Sequence, residues 1–333
     1  MTTLATATGN SHTAILGIGS YRPSRVVPNS ELVEAIDSSD EWIQQRSGIK
    51  ERRFAGPEET VQMMSVSAAR SAMDRAGIAP GQVDCVIVAT VSHMLQTPAI
   101  ATAIGYELGT DRAPAFDISA ACAGFCYGIA LGSDMIRSGS AKHVVVIGVE
   151  RLTDITSLND RGTAFIFADG AGAAVLGPSD EAGIGPVVWG SDGEQFDLIR
   201  QKEDWRDVLA EERPVMPHLI MAGSAVFRWA SYEMAKVAQA ALDRSGISVD
   251  DLDVFVPHQA NMRIIDAMAR SMKLPERVKV ARDIAEQGNT SAASIPLALD
   301  RMMVEGEAKS GDTALLIAFG AGLAYAAQVV KVP

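Results

Sequence analysis

Cysteine is scarce in this 333-residue chain, three in all and an odd number. That argues against a disulfide framework and fits a reducing compartment. No run of about 18 uninterrupted apolar residues occurs, so a membrane span is not expected. The opening residues MTTLATATGNSH lack a basic segment followed by an apolar one, so no secretory signal is expected either, and a cytoplasmic location is. Cations are in deficit, 29 Lys and Arg against 41 Asp and Glu for a net charge of −12, which disfavours nucleic acid as a partner. Low-complexity tracts are missing. Neither Gly-Ala-Gly segment, at 170–172 and 320–322, completes G-x-G-x-x-G, so a dinucleotide site has little support.

What is present is α/β alternation from end to end, with strand-like runs VDCVIVAT (83–90), HVVVIGV (143–149), LDVFVP (252–257) and TALLIAF (313–319). An internal repeat organises them. AMDRAGIAPGQVDCVIVAT (72–90) aligns without gaps on ALDRSGISVDDLDVFVPHQ (241–259), and each copy reads as a helix ended by Arg-x-Gly, a short loop and a buried strand. SGSAKHVVVIG (138–148) likewise resembles EGEAKSGDTALLIAF (305–319), and that register carried backward sets Cys122 opposite Asn289. The irregular, charged stretch near 190–222 separates the halves, giving an N-terminal half 1–190, a connecting region 191–222 and a C-terminal half 223–333. Two related halves bring equivalent strand ends to a shared cleft.

In PAFDISAACAGFCYGIALGSDMI (114–136), Cys122 and Cys126 stand one helical turn apart. Zinc needs two further ligands at suitable spacing, and only Cys85 and five scattered histidines remain, so no metal is expected. The spacing is also wrong for a Cys-x-x-Cys redox pair. Gly124, Gly128 and Gly132 suit a buried helix that neighbours approach closely. Cys122 in its first turn would gain thiolate character from the positive helix end, whereas Cys126 reads as packing. For a lone cysteine, core packing is the commoner explanation. His258 ends the strand of VFVPHQAN (254–261), Asn289 precedes a helix start in GNTSAASIP (288–296), and FGAGLAYA (319–326) offers a tight glycine turn with free N–H groups.

The motifs SAACAGFCYG, VPHQAN, GNTSAASIP and FGAG resemble those of the β-ketoacyl-acyl carrier protein synthase III family, from DSSDEWIQQRSGI (37–49) through DRGTAFIFADGAGAA (160–174) to the C-terminus. The resemblance implies a thiolase-like duplicated five-layer α-β-α-β-α architecture and a homodimer. It implies an acyltransferase that loads a short acyl group from acyl-CoA onto Cys122, then condenses it with malonyl-acyl carrier protein through His258 and Asn289, without a cofactor. Cys122 and Ala321 would supply the oxyanion N–H groups. Trp42 and Arg161 would sandwich the CoA adenine, while Arg46, Gly223 and Asn261 would contact its phosphates or pantetheine arm. Thr97 would border the acyl pocket through the partner's loop, where a threonine leaves volume for propionyl, isobutyryl or other short branched primers beside acetyl. Arg228, Arg263, Arg270 and Lys273 would dock the acidic carrier protein, the last three at spacings that share one helix face, a basic stripe interrupted by Asp266. The family's frequent Gly-Gly-Gly turn is Gly320-Ala321-Gly322 here, tolerable for a backbone donor if the alanine φ is negative.

Alternatives within the resemblance are a starter ketosynthase of a polyketide pathway and an acyltransferase relative that serves a hydroxyl, the latter commonly lacking the asparagine. Outside it, the order Cys, His, Asn overlaps papain-like hydrolases. Those carry their cysteine motif near the mature N-terminus, whereas 121 residues precede Cys122 here.

Overall fold

A computed structural model describes residues 4–110 and 112–333. Its frame is two five-stranded sheets of identical topology. In the first the order is His12–Tyr21, Asp169–Ser179, Val144–Arg151, Cys85–Ala89 and Ala115–Ile118; in the second it is Val188–Gly190, Tyr325–Lys331, Thr313–Phe319, Val254–Pro257 and Lys279–Val280. The last three strands of each sheet are parallel, and the first two join by antiparallel pairing.

The strands are apolar on both faces because both faces are covered. Ile87, Val144 and Val146 point inward to a core they share with Val254, Val256 and Leu316 of the other sheet. Their neighbours Val86, Val88, Val145 and Ile147 point outward against the Val61–Ala76 and Ile100–Leu108 helices. Phe255, Leu315 and Ile317 pack outward in the same way against Gly223–Arg244 and Met262–Ser271. The Gly124–Ser138 and Ser294–Val304 helices fill the middle, which completes the five layers.

Both Arg-x-Gly stops are real: Gly77 and Gly246 adopt φ of 66° and 69°. The central glycines answer to space instead. A Cβ on Gly128 would lie 2.5 Å from Val146 Cγ1, and one on Gly132 2.7 Å from Leu176 Cδ1. Three glycines cost the helix about 1 kcal/mol each. Full burial of Phe125, Ile129 and Ile136 contributes roughly 1.5–3 kcal/mol apiece and outweighs them.

Two sequence expectations shift. Residues 188–190, counted with the first half, pair with Tyr325–Lys331 in the second sheet. The repeat register also slips within the central helices, which run 15 residues in the first half and 11 in the second. Ala121–Ala123 and Ser291–Ala293 form the same 3-10 turn, opened by φ of 46° at Ala121 and 48° at Ser291. The counterpart of Cys122 is therefore Ala292, and Asn289 lies three residues earlier. Among the described residues, no helix is long and apolar enough to cross a membrane.

Candidate active site

A cavity of about 410 Å³ opens where the parallel strands of both sheets end, lined by Cys122, His258 and Asn289 at its floor. Trp42, Arg46, Arg161, Gly223, Asn261 and Arg263 line the same cavity. Nine residues singled out from sequence thus meet in one place, although they span more than 240 positions of the chain.

Cys122 sits in the 3-10 turn that links strand Ala115–Ile118 to the central helix, just ahead of its first residue, Gly124. Burial, and then the nearby carboxyl of Glu150, push its thiol up to about 12, against a lowering contribution from the Ser291 side chain. The resting group is a thiol. The expected thiolate at a helix start is not what this environment gives, because desolvation outweighs the helix end. Cys126, one turn deeper, is fully buried among core residues and also raised to about 12.

His258 follows strand Val254–Pro257, and its N–H donates to the Ile317 carbonyl at 2.7 Å, which fixes the backbone beside the neighbouring strand. Its Nδ1 lies 2.7 Å from Ser294 Oγ, and the Phe319 ring meets the imidazole edge-on at 5.8 Å. Burial lowers its pKa to about 3, so the ring is neutral across the physiological range.

Asn289 is held from three sides. Its N–H donates to the Ile166 carbonyl and its carbonyl accepts from Ala168, both at 2.9 Å. Its side-chain Oδ1 accepts the Ser291 N–H at 2.8 Å. That orients the amide, leaving Nδ2 as the end available to the cavity.

The glycine turn explains itself by close approach. A Cβ at Gly320 would stand 2.5 Å from the Cys122 nitrogen, so only glycine lets strand Thr313–Phe319 run up against the nucleophile turn. Ala321 does not have a positive φ; Gly322 takes that role at 71°. The alanine is therefore tolerated, as the backbone-donor argument requires.

At the mouth, the Arg161 guanidinium lies 5.0 Å over the Trp42 ring and that of Arg46 lies 5.6 Å from it, with Phe165 edge-on at 5.3 Å. Arg161 covers the tryptophan directly, so a third ring enters between them only when the arginine swings aside. Asn261 caps the Met262–Ser271 helix through its Oδ1, and its Nδ2 donates to the Arg46 carbonyl at 2.9 Å. Its polar ends are thus engaged in joining two walls of the cavity.

Other expected residues lie elsewhere. Thr97 is exposed on the 90–99 loop and does not line the cavity, and Met94 and Leu95 beside it are 51% and 63% exposed. Arg228 borders a separate groove with Trp229 and Tyr232. Arg270 is on the Met262–Ser271 helix, but Lys273 is past its end with φ of 52°, so the three cations do not share one helix face. Arg263 packs over the Phe227 ring at 5.0 Å, and Asp266, which interrupts the basic stripe, is neutralised by Arg282 at 2.8 Å. Sequence reasoning missed Phe165, Phe227, Phe319, Ser291 and Ser294 as site residues. The two serines were legible in principle, since both fall within GNTSAASIP. Among the described residues, no group of three or more His, Cys, Asp or Glu could hold a metal.

Known proteins resemble the chain in both sequence and fold. The family model described as 3-Oxoacyl-[acyl-carrier-protein (ACP)] synthase III matches residues 116–193, and the one for its C-terminal part matches 242–332. The beta-ketoacyl-[acyl-carrier-protein] synthase III 1 of Streptomyces coelicolor is 58% identical, with all of both chains covered. The mycobacterial beta-ketoacyl-[acyl-carrier-protein] synthase III of Mycolicibacterium paratuberculosis is 51% identical over 100% of this chain and 99% of its own. Among solved structures, the priming β-ketosynthase from the R1128 polyketide biosynthetic pathway superposes with a TM-score of 0.97 at 46% identity, covering 100% of this chain and 99% of that one. The 3-oxoacyl-[acyl-carrier-protein] synthase III of Aquifex aeolicus gives a TM-score of 0.89 at 37% identity, covering 96% and 99%.

Proposed function

Because the chain belongs to the 3-oxoacyl-[acyl-carrier-protein] synthase III family, we propose that Cys122 takes a short acyl group from acyl-CoA and that His258 and Asn289 serve its decarboxylative condensation with malonyl-acyl carrier protein. The enzyme is an acyltransferase that starts fatty-acid chains. The observation that carries the residue assignment is the convergence of a thiol, a neutral imidazole and an oriented amide at the floor of one cavity.

In the first half-reaction Cys122 sulfur attacks the thioester carbonyl, and the N–H groups of Cys122 and Ala321 receive the developing oxyanion. CoA leaves and the carrier protein enters. Loss of CO2 from the malonyl group moves an electron pair into the thioester enolate. Two donors aimed at that oxygen, Asn289 Nδ2 and His258 Nε2–H, lower the barrier. When Ser294 donates to Nδ1, the ring proton sits on Nε2, the tautomer this role needs. The enolate carbon then attacks the acyl group and Cys122 is released.

Trp42, Arg46, Arg161, Gly223 and Asn261 border the path for CoA, and the stacked arginines supply charge for its phosphates. The carrier protein is acidic by family character, and Arg263 at the cavity mouth would anchor its dock, with the exposed Arg228, Arg270 and Lys273 contributing from outside the cavity. Exposed Met94 and Leu95 flank Thr97, and covering them in a homodimer would deliver that loop to the partner's acyl pocket. The reaction as written uses no cofactor, and a cytoplasmic location is part of the proposal. The test is conversion of acyl-CoA and malonyl-acyl carrier protein to the β-ketoacyl-carrier product; failure with every short primer would refute it.

One observation favours a second reading. The TM-score of 0.97 to a priming β-ketosynthase of a polyketide pathway fits a starter enzyme with a dedicated carrier protein. Turnover with a polyketide carrier but not with the fatty-acid carrier would select it.

A further inference from the structure

Among the described residues, the largest fully buried side chain is a cation that does not line the cavity. Arg52, on strand Glu51–Phe54, is 0% exposed. Its guanidinium donates to the Val27 carbonyl at 3.0 Å, to Asn29 Oδ1, and to the Phe165 carbonyl at 3.0 Å. All three acceptors are uncharged oxygens. Burial lowers the group to about 10, so it is still a cation at neutral pH. A buried charge with neutral partners is a costly way to hold a strand pair, and strand Arg25–Pro28 is already joined to Glu51–Phe54 by its own ladder. What the arginine adds is reach, a planar fork of donors that meets oxygens on separate elements at once.

Those elements are the two walls of the cavity mouth. Through Asn29 the arginine reaches the helix that carries Trp42 and Arg46. Asn29 Nδ2 donates to Asp40 Oδ1 at 2.6 Å, on the first residue of helix Asp40–Ser47, and to the Ile49 carbonyl at 2.9 Å, just beyond its end. One buried amide thus grips both ends of that helix. Through Phe165 the arginine reaches the opposite wall, where the Phe165 ring meets Trp42 edge-on at 5.3 Å and Arg161 covers the same ring at 5.0 Å. Arg161 and Phe165 belong to one folded segment, in which Asp160 Oδ1 accepts the Gly162 N–H at 2.8 Å and its carbonyl accepts the Ala164 N–H at 2.9 Å. We propose that Arg52 is a positioning residue for the nucleotide end of acyl-CoA: by tying the Trp42 helix to the Arg161 segment, it sets the gap that the adenine ring enters. The proposal rests on Trp42 and Arg161 being the two sides of that clamp.

Arg161 swings aside to admit a ring, and the stacking regained on closure depends on both walls returning to one spacing. Arg52→Lys keeps the charge and the Cβ that stands close to Gly288. It replaces the fork by a single ammonium, which cannot hold Asn29 Oδ1 and the Phe165 carbonyl in the same fixed geometry. The groups that act on the malonyl unit are held by other bonds, His258 by Ile317 and Ser294, Asn289 by Ile166, Ala168 and Ser291. The loss should therefore fall on binding through the nucleotide, a KM effect rather than a kcat effect.

The test compares two thioesters of the same short acyl group, one on CoA and one on pantetheine, which ends before the nucleotide. kcat and KM for each would be measured at saturating malonyl-acyl carrier protein in the unmodified enzyme, Arg52→Lys and Asp40→Ala, with Tm recorded to confirm folding. Arg52→Lys should raise KM for acyl-CoA about tenfold with kcat nearly unchanged, and stay within about twofold of the unmodified enzyme on acyl-pantetheine. Asp40 is exposed, and Asp40→Ala releases the start of the Trp42 helix from Asn29, so it should show the same selective loss at about threefold. Equal losses on the two thioesters, or an unchanged KM for acyl-CoA in folded Arg52→Lys, would overturn the proposal, because an arginine that only stabilises the fold does not distinguish the two substrates. If Arg52→Lys does not fold, Asp40→Ala decides alone, and an unchanged ratio between the thioesters refutes the tie. An unmodified enzyme that takes acyl-pantetheine as readily as acyl-CoA would instead refute the Trp42 and Arg161 clamp, and the role of Arg52 with it.

Discussion

Replacing Asn289 by Asp exchanges the NH2 of the side chain for an oxygen and touches little else. Oδ1 still accepts the Ser291 N–H at 2.8 Å, and the backbone remains pinned by Ile166 and Ala168. The fold should therefore survive, whereas Asn289→Ala leaves the Ser291 N–H without an acceptor at a cost of about 1–3 kcal/mol. At the cavity, the aspartate offers an acceptor where the enolate needs a donor. Loss of one such donor is worth about 2.7–4 kcal/mol, or 10²–10³ in rate. A carboxylate facing the developing enolate adds like-charge repulsion in a dry pocket, so decarboxylation should fall by at least about 10³-fold. Acylation of Cys122 does not use this donor and should fall less than about tenfold. The assay pairs CO2 release from malonyl-acyl carrier protein with single-turnover acylation by acyl-CoA on the same preparation. Equal losses in the two half-reactions would refute the assignment of Asn289 to the malonyl step.

Arg263→Glu reverses charge at the cavity mouth and should raise the apparent KM for malonyl-acyl carrier protein while leaving acylation nearly unchanged; no change in either removes the docking patch. Thr97→Phe should move primer preference from isobutyryl-CoA toward acetyl-CoA, read as relative kcat/KM, because each buried methylene is worth about 0.8 kcal/mol where there is room for it; a strong acetyl preference in the unmodified enzyme would contradict the pocket argument. His258 is held near 3 in the folded chain against 6.5 in the unfolded one, so the unfolded state binds its proton first. Stability present above pH 6.5 is lost as pH falls toward 3, and His258→Asn should flatten that acid slope of Tm; an unchanged slope would mean that His258 is not buried as described.

The repeat was legible because helix stop, loop and strand kept one spacing in both halves, and the structure turns it into two sheets of equal strand order. Cys122, His258 and Asn289 were legible because each follows a strand or precedes a helix, where parallel sheets gather side chains at one edge. The exact correspondence of Cys122 was not. The second central helix is four residues shorter than the first, and an ungapped register cannot see where within it the residues are lost. Nor could the thiol's protonation be read from position alone, since it depends first on burial, which only the packed fold reveals. Lys273 was misplaced for a local reason. The Met262–Ser271 helix stops before it, so i+7 and i+10 spacing no longer implies a shared face.

The claim on which the rest depends is that Cys122 carries the acyl group. Incubation with acyl-CoA followed by peptide mass mapping tests it in the unmodified enzyme, Cys122→Ser and Cys126→Ser. One acyl group on the Cys122 peptide is expected in the unmodified enzyme and in Cys126→Ser, with none in Cys122→Ser. An acyl adduct that persists in Cys122→Ser, or that maps to Cys126, would contradict the account.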